Sequence, residues 1–376
     1  MNILILISHP GSFGGTHRVA INLANRMSSD YRVHLASVYG RNEQLQFALD
    51  SQVSTTVFLP EEDRLRSMAW ALSKPLRNYL RQHDIDVVLL IGNYHGFVTL
   101  PTILTYRKAR FIFCDHGALM NQWDALPVRW MRRWCSRLCA ATVTLTQQSR
   151  RDYIERFNLP ADKVHAIYNW LDPQLTDCSH SYDVDSRSLL WAGRLDEEKG
   201  ADLLLDIARQ LLPRFPQWRW LVFGTGEMHG QMTEEIRRLG LEDQLLLRGQ
   251  VSNLYDEYPK SSIVTLTSYR EGLPLVLLEG KACGRPLISF DVSTGPAEII
   301  RDGVDGFLIP PFDTAAYTQR LTEMMADDRL RLEMSRRSKE TISQFDQETI
   351  YAQWRELLEG LCPTKISDSV KPGSQR

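Results

Sequence analysis

The sequence predicts an α/β protein made of two doubly wound, Rossmann-like domains, and three observations carry that prediction. The chain has 376 residues, more than a single hydrophobic core usually serves. Short continuous apolar runs alternate with amphipathic stretches, the pattern of parallel strands covered by helices on both faces. The pattern stops at a polar, turn-rich segment and then starts again.

In order along the chain, NILILIS, YRVHLASV, TTVFLP, DVVLLIG, ARFIFCDHG and ATVTLTQQS read as strands, with GGTHRVAINLANRMSS as the first helix, and residues 1–170 form the first domain. Residues 171–188, LDPQLTDCSHSYDVDSRS, form the linker. Residues 189–344 form the second domain, with strands LLWAGRL, WRWLVFG, LLLRG, SIVTLTS and PLISFDV and helices ADLLLDIARQLLPRF, MHGQMTEEIRRLG and one opening at Pro274. Residues 345–361 form an amphipathic helix with Ile350, Trp354, Leu357 and Leu358 on one face, and 362–376 form a Ser/Lys/Pro-rich disordered tail.

Composition narrows the function classes. Hydrophobic residues make up 43% and charged residues 24%, enough to bury a core, and no stretch approaches the roughly 20 apolar residues of a membrane span. The N-terminus has an apolar run without a basic flank, so it reads as a buried strand rather than a signal peptide. Six cysteines without a CxxC pair read as reduced core thiols. Together these predict a soluble, cytoplasmic protein. The net charge of −2 conceals an asymmetry: residues 1–170 hold 20 Lys and Arg against 13 Asp and Glu, the remainder 24 against 33.

The chemistry concentrates in TSYREGLPLVLLEGKACG, where Glu271 precedes a Gly-Leu-Pro turn and Glu279 lies inside an apolar helix. A helix start at the C-terminal edge of a sheet favours a phosphate, through free amides and the positive end of the dipole. The backbone of Gly272, Leu273, Pro274 and Leu275 provides that start, and Glu279 then falls about 7 Å along the axis, within reach of a ribose. Glu271 would stand on the sugar side of the phosphates. The alternative reading makes Glu271 a dipole partner and pairs Glu279 with Lys281 or Arg285 on a half-exposed face. In WAGRLDEEKGADLLL, Arg194 follows a strand and Lys199 precedes a helix, a geometry for two cations on a diphosphate, with solvated surface charge as the alternative.

GRLDEEKG, TSYREGLPLVLLEG with its E-x7-E, and GPAEIIRDGVDGFLIPP occur in that order, and together they resemble the retaining glycosyltransferases of family 4, which have the GT-B fold. The resemblance covers roughly residues 2–360. It implies Arg194 and Lys199 on the donor diphosphate, Glu279 on the ribose, and Glu271 with the following amides on the donor sugar and phosphates. It also implies Gly14 and Gly15 as a first glycine loop near the donor phosphates or the acceptor, His116 near the donor sugar, and a last helix that crosses back to the first domain. His95, after another strand, is an acceptor-side candidate.

The DVD at 183–185 falls in the linker and is read as solvated turn rather than a metal site, so no metal is expected. RWMRRWCSR at 129–137 reads as a membrane-facing or lipid-diphosphate patch, with a plain solvated helix as the alternative; no nucleic-acid role is expected.

The resulting expectation is a metal-independent, retaining hexosyltransferase without a resident cofactor. It would move a hexose or N-acetylhexosamine from a nucleotide sugar to a glycan acceptor, lipid-diphosphate-linked, in cell-surface polysaccharide or lipopolysaccharide synthesis, at the inner face of the plasma membrane. The TGPAEII segment resembles members that use UDP-sugars; GDP-mannose is the second reading, and a GT-B epimerase that hydrolyses UDP-sugars or a nucleotide-sugar sensor represents other classes.

Overall fold

The computed structural model describes residues 1–11, 14–41, 44–176, 182–251 and 253–362. Its first half runs β1 (Asn2–Ile7), α1 (Gly15–Met27), β2 (Arg32–Tyr39), β3 (Ser54–Leu59), α2 (Leu65–Gln82), β4 (Val87–Ile91), α3 (Asn93–Thr105), β5 (Arg110–Asp115), α4 (Leu126–Leu138), β6 (Ala141–Thr144), α5 (Gln147–Phe157), β7 (Val164–Ala166) and α6 (Pro173–Thr176). The second half runs β8 (Ser188–Ala192), α7 (Ala201–Leu211), β9 (Arg219–Phe223), α8 (His229–Leu239), β10 (Leu245–Gly249), β11 (Ile263–Leu266), α9 (Leu275–Ala282), β12 (Leu287–Phe290), α10 (Pro296–Ile299), β13 (Gly306–Ile309), α11 (Thr314–Ala326), α12 (Asp328–Glu340) and α13 (Gln347–Leu361).

The strands form two parallel sheets, one in the order β3-β2-β1-β4-β5-β6-β7 and one in the order β10-β9-β8-β11-β12-β13. Two short strands, β7 and β13, extend these sheets beyond the runs picked out above; three and four residues long, they carry too little periodicity to register. Side chains alternate across each sheet. Ile3, Ile5 and Ile7 pack with α1 and α13, whereas Leu4 and Leu6 pack with Met68 and Leu72 of α2, Val98 of α3 and Met131 of α4. In each sheet the strand order reverses beside the first strand, between β1 and β4 and between β8 and β11, and ligands of open α/β sheets bind at such a switch point. Helices α1 and α9 start there.

The last helix lies on the first domain. Ile350, Trp354, Leu357 and Leu358 join the core that holds Ile21 and Leu23 of α1, the Tyr351 hydroxyl donates to Asp30 at 2.6 Å, and Arg26 stacks on Tyr351 and pairs with Glu348. Residues 363–376, most of the expected tail, lie outside the described residues. In the linker, the backbone N–H of Asp185 donates to Asp183 at 3.0 Å in an exposed turn. Cys114, Cys135 and Cys139 are buried free thiols. Among the described residues no helix is long and apolar enough to cross a membrane.

One assignment in the 129–137 patch is corrected. Arg132 is not a surface charge: it is fully buried and its Nε pairs with Asp115 Oδ2 at 3.0 Å, while the Tyr153 hydroxyl donates to the same oxygen at 2.6 Å. Arg132 falls on the inward face of α4 with Met131, Cys135 and Ser136, and the carboxylate at the end of β5 receives it.

The domains meet through specific contacts. The carboxylate of Glu298 in α10 accepts the N–H groups of Gln147 and Gln148, at 2.9 and 3.0 Å, and the Tyr168 hydroxyl at 2.7 Å. It therefore caps α5 of the opposite domain, satisfying orphan donors and the helix dipole together. Replacing Glu298 with Ala removes three hydrogen bonds to a charged group. The expected loss is about 2 kcal/mol for this half-exposed carboxylate, read as a lower urea midpoint; an unchanged midpoint would show that the domains are held together without this cap.

Candidate active site

Pro274 stands at the N-cap of α9 with φ −71° and ψ 109°, and the helix ends where Gly284 turns at φ +65°. Pro274 has no N–H, so of residues 272–275 it is Gly272, Leu273 and Leu275 that offer amides. Gly272 is required for a reason the sequence does not reveal: a Cβ there would come within 2.3 Å of the His116 carbonyl oxygen, across the domain boundary. The glycine loop faces the same point, because a Cβ on Gly15 would lie 3.2 Å from Leu275 Cδ1; Gly14 precedes it as the N-cap of α1.

Glu279 is 4% exposed. One carboxylate oxygen accepts the Tyr258 hydroxyl at 2.6 Å, and the other pairs with the guanidinium of Arg18, which comes from α1 of the other domain. Burial pushes this carboxyl above the usual range, while Arg18 and Tyr258 work against that shift. Burial alone would disfavour the charge on Arg18, but Glu279, Tyr255 and Tyr258 outweigh it and raise the guanidinium's pKa further. The surface-pair alternative for Glu279 fails: Lys281 is buried against Asp305 at 2.6 Å, and Arg285 donates to the carbonyls of Cys283, Pro259 and Ser261.

Glu271 is also buried, and Lys199 Nζ lies 2.7 Å from its Oε1. The loop that carries Glu271 is pinned from two sides, its carbonyl accepting Asn121 Nδ2 at 2.8 Å and Thr294 Oγ1 at 2.7 Å. Asn121 belongs to the first domain. The loop that carries Lys199 is fixed by Gly200, at φ +67°, where a Cβ would come within 2.0 Å of the Thr267 carbonyl, and the Thr267 hydroxyl lies within bonding distance of the carbonyls of residues 199 and 200. Arg194 stays out of this cluster: its side chain is 68% exposed and its partners are Asp196 at 3.1 Å and Glu198 at 3.9 Å.

Of the two histidines, His116 borders a small cavity with Val19, Asn22 and Trp354, and burial lowers its pKa to about 4. His95 is buried in the first turn of α3 with backbone carbonyls around its ring, and burial lowers it to about 4 as well. Residues that sequence reasoning missed are Arg18, Tyr258, Asn121 and Thr267. Each acts through a partner distant in the chain, so none leaves a local pattern.

Because His95 has a folded-state pKa of about 4 against 6.5 unfolded, the unfolded chain binds the extra proton between those values. Stability therefore falls as pH falls through that window and is level above it, by up to about 3 kcal/mol for a gap of this size. Urea midpoints across the window, for wild type and His95→Gln, give the test: the variant is expected to show the shallower slope, and equal slopes would assign the acid sensitivity elsewhere.

Comparison with known proteins covers both halves. Residues 13–175 match the model described as Glycosyltransferase Family 4 and residues 179–341 the model described as Glycosyl transferases group 1. The chain is 28% identical, over 95% of its length and 99% of the relative's, to the amylovoran biosynthesis glycosyltransferase AmsD of Erwinia amylovora. It is 23% identical, over 95% and 98%, to an α-1,4-N-acetyl-D-galactosaminyltransferase of Campylobacter jejuni named for an undecaprenyl-diphosphate-linked acceptor. In fold it is similar to TarM of S. aureus, with a TM-score of 0.81 at 13% identity over 95% and 99% of the chains, and to HepE of Anabaena bound to UDP and glucose, with a TM-score of 0.76 at 20% identity over 95% and 99%. With two facing parallel sheets, a family match in each half, and the paired glutamates at the second sheet's switch point, this chain belongs to glycosyltransferase family 4 and has the GT-B fold.

Proposed function

We propose that the protein is a retaining, metal-independent glycosyltransferase that moves a hexose or N-acetylhexosamine from a UDP-sugar to a lipid-diphosphate-linked glycan in polysaccharide biosynthesis. The observation that carries this is the pair of buried carboxylates on either side of one helix start, Glu271 held by Lys199 and Glu279 held by Tyr258 and Arg18. The diphosphate binds the amides of Gly272, Leu273 and Leu275 with Lys199 and Arg194, Glu279 accepts from the ribose hydroxyls, and Glu271 and His116 lie toward the sugar. Arg194 needs little to redirect: exposed pairs such as those with Asp196 and Glu198 are worth about 0–1 kcal/mol, less than a charge-assisted bond to a diphosphate.

During transfer the bond between the anomeric carbon and the diphosphate oxygen breaks, the acceptor oxygen bonds to that carbon on the same face, and its proton passes to the departing phosphate. Negative charge grows on the diphosphate, where Lys199 and the amides of α9 already stand together and Arg194 turns in from the exposed rim. No resident cofactor takes part. UDP is favoured over GDP because HepE is named in complex with UDP and glucose and TarM with UDP; retention is supported by relatives named for α-linked transfer, since common UDP-hexoses are themselves α-linked. The named undecaprenyl-diphosphate acceptor supports a lipid-linked acceptor met at a membrane surface.

A donor panel with UDP- and GDP-sugars, followed by NMR of the product's anomeric proton, tests the reading. UDP-sugar turnover with retention and unaffected by EDTA is expected; GDP-mannose turnover would support the second donor, product without acceptor an epimerase or hydrolase, and binding without turnover a sensor. Lys199→Ala is expected to lower kcat by about 10²–10³. Free UDP separates the glutamates: it has the ribose but no sugar, so Glu279→Gln should weaken it by about 1.5–3 kcal/mol while Glu271→Gln leaves it unchanged and depresses kcat. The reverse order would mean that the nucleotide runs the other way along α9.

A further inference from the structure

Three adjacent helices on one face of the first domain present a surface that the transfer reaction does not use. Helices α2 and α4 each carry four Arg or Lys and no Asp or Glu, and α3, packed between them, carries no charge. Large apolar side chains stand out from the same three helices: Trp70 at 70% exposure, Leu104 at 48%, Leu126 at 56%, Trp130 at 61% and Trp134 at 42%. On α4, Leu126, Trp130 and Trp134 follow one another at helical spacing, with the indoles of Trp130 and Trp134 6.0 Å apart and Arg133 and Arg137 exposed beside them. On α2, Trp70 lies one turn from each of two exposed cations, Arg66 and Lys74.

The inner faces of these helices account for the core, as Met68, Leu72, Val98, Met131 and Cys135 pack on the sheet, so the outward tryptophans are not needed to fold it. Carboxylates flank the surface without entering it: Glu61 pairs with Arg41, and the Asp63 carboxylate accepts the N–H of Arg64. Tryptophan settles at a lipid–water boundary with its ring in the acyl region and its N–H in the headgroups. Cations spaced around it draw an anionic leaflet. Helices that follow strands of a parallel sheet begin at the strands' C-terminal edge, so the first turns of α2 and α4 lie at the edge that borders the cleft.

We propose that the outer face of α2, α3 and α4 is an interfacial docking surface for an anionic lipid bilayer, with Trp70 and Trp130 as its two anchors and Arg133, Arg137, Arg66 and Lys74 as its counter-charges. It deepens the lipid-linked acceptor reading by bringing the cleft edge of the first domain to the headgroups, where a diphosphate on a lipid tail would be presented. Arg132, locked inside against Asp115, takes no part.

The experiment is co-sedimentation of the full chain with phosphatidylcholine vesicles, with and without phosphatidylglycerol, at low and high salt, together with transfer to a water-soluble acceptor glycan. Binding is expected to the anionic vesicles only, with a blue shift of tryptophan emission. Trp70→Ala with Trp130→Ala should reduce partition at least tenfold and abolish the shift, and each of Arg133→Gln, Arg137→Gln and Lys74→Gln about fivefold. Transfer to the soluble acceptor should be unchanged in all of these. Equal partition of wild type and the tryptophan variant would overturn the surface, as would failure to bind vesicles alongside a dimer that Trp130→Ala dissociates, which would assign the face to a second copy. Vesicle binding without transfer would instead remove the enzymatic reading and leave the surface standing.

Discussion

A carboxylate buried in an apolar helix must have its charge answered, and in this protein the answer comes from outside its own domain. Glu279 follows Leu277 and Leu278 on a helix packed into the apolar core and is itself buried, where an unpaired charge would cost several kcal/mol. Tyr258 supplies a hydrogen bond from within the second domain, but the counter-charge on Glu279 comes from Arg18, carried by the first helix of the other domain. The site is complete only with the two sheets facing each other. Glu271 shows the contrast, since its cation, Lys199, belongs to the same domain, and only its backbone is gripped from across the cleft, by Asn121. One glutamate thus depends on closure for its charge and the other for its position.

The same dependence governs the backbone. Gly295 stands against Gly272, and Gly272 against His116, so any side chain at Gly272 would hold the domains apart. Glu298 then fastens the contact by capping α5. The motif segments proposed to hold the donor are therefore also the segments that the first domain touches, which ties their geometry to the angle between the domains.

Much of this was legible in the chain. Continuous apolar runs and the restart after the linker gave the two sheets, because parallel strands buried on both faces have no polar residues to hide them. The E-x7-E segment, GRLDEEKG and the glycine loop located the candidate site, since their residue types are placed by local turns that the sequence encodes directly. What could not be read is what depends on distant partners. Arg18 looks like any helix-surface arginine until α9 lies opposite it. Arg132 looks like part of a basic surface until Asp115 is placed behind it. Lys281 and Arg285 were plausible partners for Glu279 by spacing, yet both are consumed by their own buried acceptors. Spacing reports which residues share a face, and the tertiary fold decides what that face meets.

The path of the chain between the domains has a mechanical consequence. It leaves the first domain near Leu171 and returns near Phe345, and those two crossings touch: the N–H of Leu171 donates to the Phe345 carbonyl at 3.0 Å, and the ring of Phe345 meets that of Tyr168 at 5.2 Å. A body joined by a single thread can swivel in any direction, whereas two threads bound side by side act as a strap that bends readily and resists torsion. A domain movement about this strap would follow a bending path, one that returns Arg18 to Glu279 and Gly272 to His116 in the same register.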